Sequence, residues 1–302
     1  MYIADMHCDS LTAVNSSRGL VNSYNLSAKH PQLQFFAAFV PMDNDPPELR
    51  RRKIMHLLNV YIAERERLGL VSIESAKDIS IAERGARRSA LFSIEGGGGL
   101  FADSEELDLL YRLGLRVLGL CWDTNELAAS AFDKNDTGLT KEGIEMAMRC
   151  SEMGIILDVS HLSDRSFYQL LDVTGYPLIA THSNFREICD NPRNLTLDMA
   201  KRIAGRGGVI GLNLYPSFIK AGGNPSADDI LKQVDYALEN LGEDALGFGF
   251  DIDGTDGKYP DGFSEKESLH DRLIDIMLSR YSSSTVGKIA GRNILSFLES
   301  NI

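Results

Sequence analysis

The chain has little with which to cross-link itself. Its four cysteines (Cys8, Cys121, Cys150, Cys189) form no CxxC pair and no regular spacing, which excludes a zinc ribbon or a disulfide scaffold. Apolar neighbours around Cys8, Cys121 and Cys150 predict buried thiols in a reducing compartment. No apolar run approaches ~18 residues, so no transmembrane helix is expected. There is no basic stretch followed by an apolar one at the start, and the closing "SFLESNI" is no lipid-anchor signal. These absences predict a cytoplasmic protein with no membrane partner. Cations are outnumbered, 31 Lys and Arg against 43 Asp and Glu, for a net charge of −12, which argues against nucleic-acid or anionic-membrane binding. No GxGxxG follows an early strand, so a dinucleotide-binding sheet is disfavoured. The glycines of "EGGGGL" (95–100) are followed by no lysine and read as a flexible turn rather than a phosphate loop. Histidine is scarce as well, with six in 302 residues.

What is present is a rhythm. Short apolar, strand-like segments recur at 2–9, 33–40, 90–96, 115–122, 154–161, 177–183, 207–215 and 245–253. Between them lie amphipathic segments at 47–69, 104–114, 140–154, 163–175, 196–207 and 226–242. Several begin at Ser or Thr and stop at Gly, as capped helices do. Eightfold strand–helix alternation predicts an α/β fold, a (β/α)8 TIM-like barrel of the metal-dependent hydrolase type, spanning residues 1–302 as one domain. The alternative is an open doubly wound sheet.

Three of the six histidines fall at the ends of these segments. The first ends in "HCD", where His7 and Asp9 share one side of an extended chain. The third ends at Glu95, the fifth at His161, the sixth at His182 and the eighth at Asp251. In a barrel these ends surround one mouth, where active sites lie. Imidazoles and carboxylates gathered there without partners would be costly, and divalent metal removes that cost. Three His, one Asp and one Glu exceed one tetrahedral zinc site with an open position. They suit two ions ~3.5–4 Å apart with Glu95 bridging them. Each residue alone has an ordinary explanation: HxD is weak by itself, Glu95 could cap a helix, and "FDIDG" could be an Asx turn. The case rests on the coincidence of five placements. The remaining histidines read as ordinary: His30 before a proline, His56 in a basic helix, His270 in a polar segment.

With these motifs in order, the chain resembles the membrane (renal) dipeptidase family, zinc peptidases among the amidohydrolase-like barrels. "DMHCD", "SIEGG", "DVSH", "THSN", "DNPRN", "GFGFDIDG" and "VGKIAGRNIL" carry the resemblance from His7 nearly to the C-terminus. It implies one zinc on His7, Asp9 and Glu95 and a second on Glu95, His161 and His182. It further implies Arg193 as the clamp for a substrate carboxylate, a role that suits its planar fork. Asp251 would relay a proton between attacking water and leaving amine. The activity implied is hydrolysis of dipeptides with a free C-terminus by hydroxide shared between the metals, with a D-residue tolerated at the second position. Manganese, cobalt or iron could take the same ligands, and a homodimer is the commonest assembly for such a chain. One position departs from the pattern. The family's better-studied members carry a histidine, thought to hold the oxyanion, where this chain has Trp122. Either Trp122 or Asn125 donates in its place, or the substrate range has changed, or Trp122 is a wall of the substrate pocket with hydrolysis retained, the favoured reading. Two alternatives stand beside the dipeptidase: another hydrolase of the same barrel type (amidase, N-acyl-amino-acid hydrolase, lactonase or deaminase), and a metal-binding barrel without catalysis.

Overall fold

A computed structural model describes the whole chain except residues 16–25, 28, 42–44, 102–104 and 265–266. Its centre is a parallel sheet. The strands are β1 (Ile3–Asp5), β2 (Gln32–Phe39), β3 (Val71–Ser72), β4 (Ser89–Glu95), β5 (Leu115–Gly119), β6 (Ile156–Asp158), β7 (Ile210–Leu212) and β8 (Leu246–Phe248). They are ordered β6-β5-β4-β2-β1-β8-β7, with the accessory β3 on β4. The remaining gap is filled by the predicted sixth segment, which is too irregular to form a full strand. It pairs through single parallel bridges, Asp158 with Ile179 on one side and Ala180 with Ile210 on the other. Backbone bonds from Val159 N to Ile179 O (2.8 Å) and Gly211 N to Ala180 O (2.7 Å) complete the ring. The expected TIM-like barrel is the observed fold.

Strand alternation sorts the core into two compartments. Ala4, Met6, Leu33, Phe35, Leu91, Val117, Ile179 and Val209 fill the inside of the barrel. Ile3, Phe36, Ala38, Phe92, Leu118 and Phe248 face outward against the helices. The six predicted helices form, at Pro47–Leu68, Glu105–Arg112, Lys141–Met153, Asp164–Val173, Leu197–Gly205 and Ala227–Leu241. Their boundaries follow cap chemistry: Thr140, Ser163 and Thr196 accept hydrogen bonds from the first turns of their helices, and Gly69 and Gly154 end theirs in the left-handed conformation. The first residue of the predicted segment 104–114 lies outside the described residues.

Further helices join these six. Leu269–Leu278 packs on the outside beside β1 and β8. At the chain's end a π-helical turn, Lys288–Arg292, leads into Asn293–Asn301. This last helix sends Ile294, Leu295, Phe297 and Leu298 into the interior core and plugs the barrel at the strands' N-terminal ends. Among the described residues no helix is long and apolar enough to cross a membrane. All four cysteines are buried and free.

The "EGGGGL" turn differs from its expectation. Residues 96–100 are buried, and Gly97 N bonds to Gly119 O while Gly99 N bonds to Glu126 Oε1. It is a packed, hydrogen-bonded turn, because it must carry the chain out of the barrel beside Trp122.

Candidate active site

The C-terminal ends of the strands converge as the barrel requires. On β4 the inward residues Leu91, Ser93 and Glu95 alternate upward, so the last inward position before the glycine turn is a carboxylate at the mouth. β1 gives out before His7 and Asp9, and β8 before Asp251. His161 and Asp251 both have positive φ, 72° and 60°. Such backbone is uncommon for residues with a Cβ and concentrates where a side chain must be aimed.

The five expected ligands meet. Glu95 Oε1 lies 2.8 Å from His161 Nε2 and 3.3 Å from His182 Nε2, while Oε2 lies 3.6 Å from His7 Nε2. The two oxygens of one carboxylate thus face two different imidazole sets. His7 Nε2 is 3.8 Å from Asp9 Oδ1 and 3.9 Å from Asp251 Oδ1. Three donor groups are compact enough to hold an ion: His7, Asp9 and Glu95; Glu95, His161 and His182; and His7, His182 and Asp251. His7 Nε2 and Asp9 Oδ1 are buried without any hydrogen-bond partner. Buried polar atoms are rarely left so, and an imidazole nitrogen and a carboxylate oxygen 3.8 Å apart are ligand types a divalent cation takes once the imidazole is neutral.

The residues behind the ligands fix their orientation. Thr181 Oγ1 is 2.8 Å from His182 Nδ1. That hydroxyl donates to Asp158, so it accepts the Nδ1 proton and leaves Nε2 as a lone pair aimed at Glu95. Asp158 also accepts from the backbone of Ser160 and Thr181. Asn213 Nδ2 donates to Asp251 Oδ2 at 3.2 Å and to His182 O at 3.3 Å. Gly254 has no alternative: a Cβ there would come within 2.2 Å of Asp251 Oδ1 and 2.3 Å of Asp9 Oδ2. Of these, Asp158, Thr181 and Gly254 lie within motifs quoted above, but nothing in the sequence singled them out. Asn213 gave no signal at all.

The electrostatics are those of a site that draws in positive charge. Burial pushes the Asp9 carboxyl up to about 7, with the charge of Glu95 adding to the shift. Burial opposes charge on Glu95 too, but His7 and His161 outweigh it and hold Glu95 well below the usual carboxylate range. His7 is buried, which alone would lower it, yet Glu95 and Asp9 raise it well above the ordinary imidazole value. Burial and the nearby Arg193 push His161 down to about 4. Glu95 is thus kept anionic between a His7 that favours its charged form and a His161–His182 side kept as neutral nitrogen donors.

Arg193 lies behind this cluster at 3% exposure. Its Nη1 donates to Ser183 Oγ (2.8 Å) and its Nη2 to His182 O (3.0 Å), while Nε is buried without a partner. Arg193 makes no surface ion pair with Asp190 or Asp198. Asp198 pairs with Arg202 instead, and no carboxylate among the described residues lies within salt-bridge distance of Arg193. The guanidinium sits 5.7 Å from the ring of Phe218. Phe218, Trp122, Phe132, Tyr215, His161 and Asp251 help line a cleft of about 460 Å³ over the mouth.

The two remaining expected residues part company. Trp122 is 40% exposed and packs edge-on to Phe39, with ring centroids 5.1 Å apart, and beside His161. It is a wall of the cleft. Asn125 is engaged by its own loop. Its Oδ1 accepts from the backbone of Leu127 and Ala128, and its Nδ2 donates to Leu120 O. An Asx-type turn takes up both ends of the amide and turns it into the loop.

Known proteins sharpen this picture. The sequence profile described as membrane dipeptidase (peptidase family M19) matches residues 2–301. An uncharacterized protein in the pqqA 5′ region of Klebsiella pneumoniae is 30% identical over 257 residues, 82% of this chain and 93% of the relative. Dipeptidase 3 of Mus musculus is 28% identical over 276 residues, 88% of this chain and 54% of that longer protein. Among solved structures, dipeptidase AC, a metallopeptidase of family M19, superposes with a TM-score of 0.86 at 25% identity, covering 100% of this chain and 98% of its own. A metallopeptidase from Rhodobacter sphaeroides, liganded with a phosphinate mimic of L-Ala-D-Ala, shares the fold at TM-score 0.87 and 24% identity, covering 100% and 99% of the two chains.

Proposed function

As this chain belongs to the membrane dipeptidase family (peptidase family M19), it is a metallo-dipeptidase, a hydrolase of peptide bonds, and we propose that it works with two divalent cations on dipeptides bearing a free C-terminal carboxylate. Zinc is the first candidate, since mixed imidazole and carboxylate donors suit it best. His7, Asp9 and Glu95 would hold one ion and Glu95, His161 and His182 the other. Bound there, the pair would polarise the scissile carbonyl and acidify a water. The single observation that supports this reading most is Glu95, whose two oxygens face separate imidazole sets.

The chain's own residues would do the rest. Arg193, buried with unused donors and no carboxylate partner, offers a planar fork for the substrate's C-terminal carboxylate. Ser183 and the His182 carbonyl hold that fork still. Asp251, oriented by Asn213 and 3.9 Å from His7 Nε2, accepts the proton of the attacking water and returns it to the departing amine. Trp122 and Phe132 wall the cleft, and the resemblance to the family puts Trp122 where its better-studied members carry a histidine. Tolerance of a D-residue at the second position is part of the same proposal, and the resemblance to the dipeptidase family supports it.

The test is metal stoichiometry alongside a panel of L,L and L,D dipeptides. Two equivalents of metal and turnover of free-carboxylate dipeptides are expected. No turnover above the metal-free background would overturn the proposal. Arg193→Ala separates this reading from an amidase or lactonase of similar build. A charge-assisted pair contributes about 1.5–3 kcal/mol, so kcat/KM for a free dipeptide should fall roughly 10- to 100-fold. The C-terminal amide of the same dipeptide should barely respond, and equal losses on both would refute the clamp.

A further inference from the structure

Beneath the mouth lies a buried pair that the mechanism above does not use. Asp5 and His270 are both fully buried, on the outer side of β1, and His270 Nε2 lies 2.6 Å from Asp5 Oδ2. The His270 ring stacks on Phe250 at 4.7 Å between centroids and 21° between planes. The expectation that His270 sits in a polar, ordinary segment is corrected here: it is on the inward face of the helix Leu269–Leu278.

What Asp5 does with its other oxygen gives the pair its meaning. β1 and β8 are joined by backbone bonds below and above this level, Met6 N to Phe248 O (2.9 Å) and Asp9 N to Ile252 O (2.8 Å). Between those rungs the two chains part, because His7 must turn to the mouth and Asp251 adopts a left-handed backbone. The parting strands the N–H groups of His7 and Phe250, and Asp5 Oδ1 accepts from both, at 3.1 Å and 3.2 Å. One carboxylate oxygen replaces the missing rungs of the ladder. The two anchored residues are His7 itself and the immediate neighbour of Asp251. His270 holds the second oxygen, so Asp5 cannot rotate away from them.

We infer that the Asp5–His270 pair is a positioning element of the active site: it sets the spacing of His7 and Asp251 by tying the parted ends of β1 and β8 to one fixed carboxylate. The inference rests on the metal reading of the site, and it assigns His270, on a helix outside the barrel, a part in shaping the mouth.

The test compares two substitutions in the full chain. His270→Phe keeps an aromatic ring against Phe250, somewhat larger than the imidazole, but cannot donate to Asp5. His270→Gln places an amide donor near the position of Nε2. Supporting residues behind metal ligands typically change affinity or activity by about 10- to 100-fold. His270→Phe should therefore lower kcat by that order with KM little changed, since Arg193 is untouched, and should weaken cobalt uptake, read by visible absorption. His270→Gln should recover both. If His270→Phe does not yield folded protein, His270→Asn, whose amide is too short to reach Asp5, makes the same contrast with His270→Gln. A destabilised variant with wild-type kcat and cobalt uptake would reduce the pair to a stability element and overturn the inference alone. Equal behaviour of the Asn and Gln variants would do the same. A wild-type protein that takes up no metal would overturn the site reading and this inference together.

Discussion

The two ends of the barrel are built on opposite principles. At the N-terminal end the interior is closed by Ile294, Leu295, Phe297 and Leu298, and the polar groups there are matched: Asn293 Nδ2 donates to Glu243 O and Leu246 O. Gly291 lets the π-helical turn lie against β1, where a Cβ would come within 2.2 Å of Tyr2 O. At the C-terminal end, three imidazoles and three carboxylates crowd together with orphaned atoms and left-handed backbone at two site residues. A chain that satisfies its polar groups at one end could do so at the other. The difference teaches that the mouth is incomplete by itself and is made for charged guests, whereas the plug is where stability is gathered.

Substitutions at the two ends should therefore fail differently. The largest effect is expected at Glu95, whose carboxylate serves both imidazole sets. Removing transition-state charge stabilisation of several kcal/mol corresponds to roughly 10³-fold in rate. Glu95→Gln should lose about that much kcat and bind fewer than two metal equivalents, while melting at or near the wild-type temperature in the metal-free state. Loss of activity with both equivalents retained would separate bridging from catalysis. At the plug the pattern should invert. Ile294→Ala removes fully buried apolar volume and should cost about 2–5 kcal/mol of stability, read by denaturant unfolding. Its kcat and metal content below the melting transition should be those of the wild type. A selective loss of metal in Ile294→Ala would show that the two ends are not independent.

A carboxylate with all its partners sharpens the contrast at small scale. Asp229 closes the capping box with Ser226 and meets Lys232 and Lys220. Lys232 first, then the Ser226 backbone N–H, hold its carboxyl below the usual range. Its pKa is lower folded than unfolded, so its contribution is present above the unfolded value near 4 and is lost as pH falls through the folded value. The lysines are half exposed, which limits the effect to under about 1 kcal/mol. The stability gap between wild type and Asp229→Asn should be flat from neutral pH to about 5 and close below about 4. A gap that widened on acidification would contradict the sign.

How much of this was legible follows from the same contrast. The mouth could be read because it uses a scarce residue type at strand ends, so His7, His161 and His182 stood out, and Glu95 and Asp251 came with them. Strand–helix alternation and Ser/Thr-to-Gly helix limits gave the barrel. The sixth segment was read as a strand, and it pairs only through single bridges, because its residues turn early to aim His182 and Thr181. β3 was missed because two residues carry no period. Asn125 could not be placed from sequence, because an amide in a loop reads the same whether it faces a ligand or its own backbone. Asp5 and His270 were invisible as a pair: their partnership spans 265 positions and depends on where two strands part, which no local pattern records. Asn213 was silent for the same reason.

The central claim is that Glu95 is shared by two cations at the barrel mouth. Crystals grown with zinc and measured at the zinc absorption edge test it directly. The account predicts two anomalous peaks flanking the Glu95 carboxylate, one against His7 and Asp9 and the other against His161 and His182. A single peak away from Glu95, or none at full zinc loading, would contradict it.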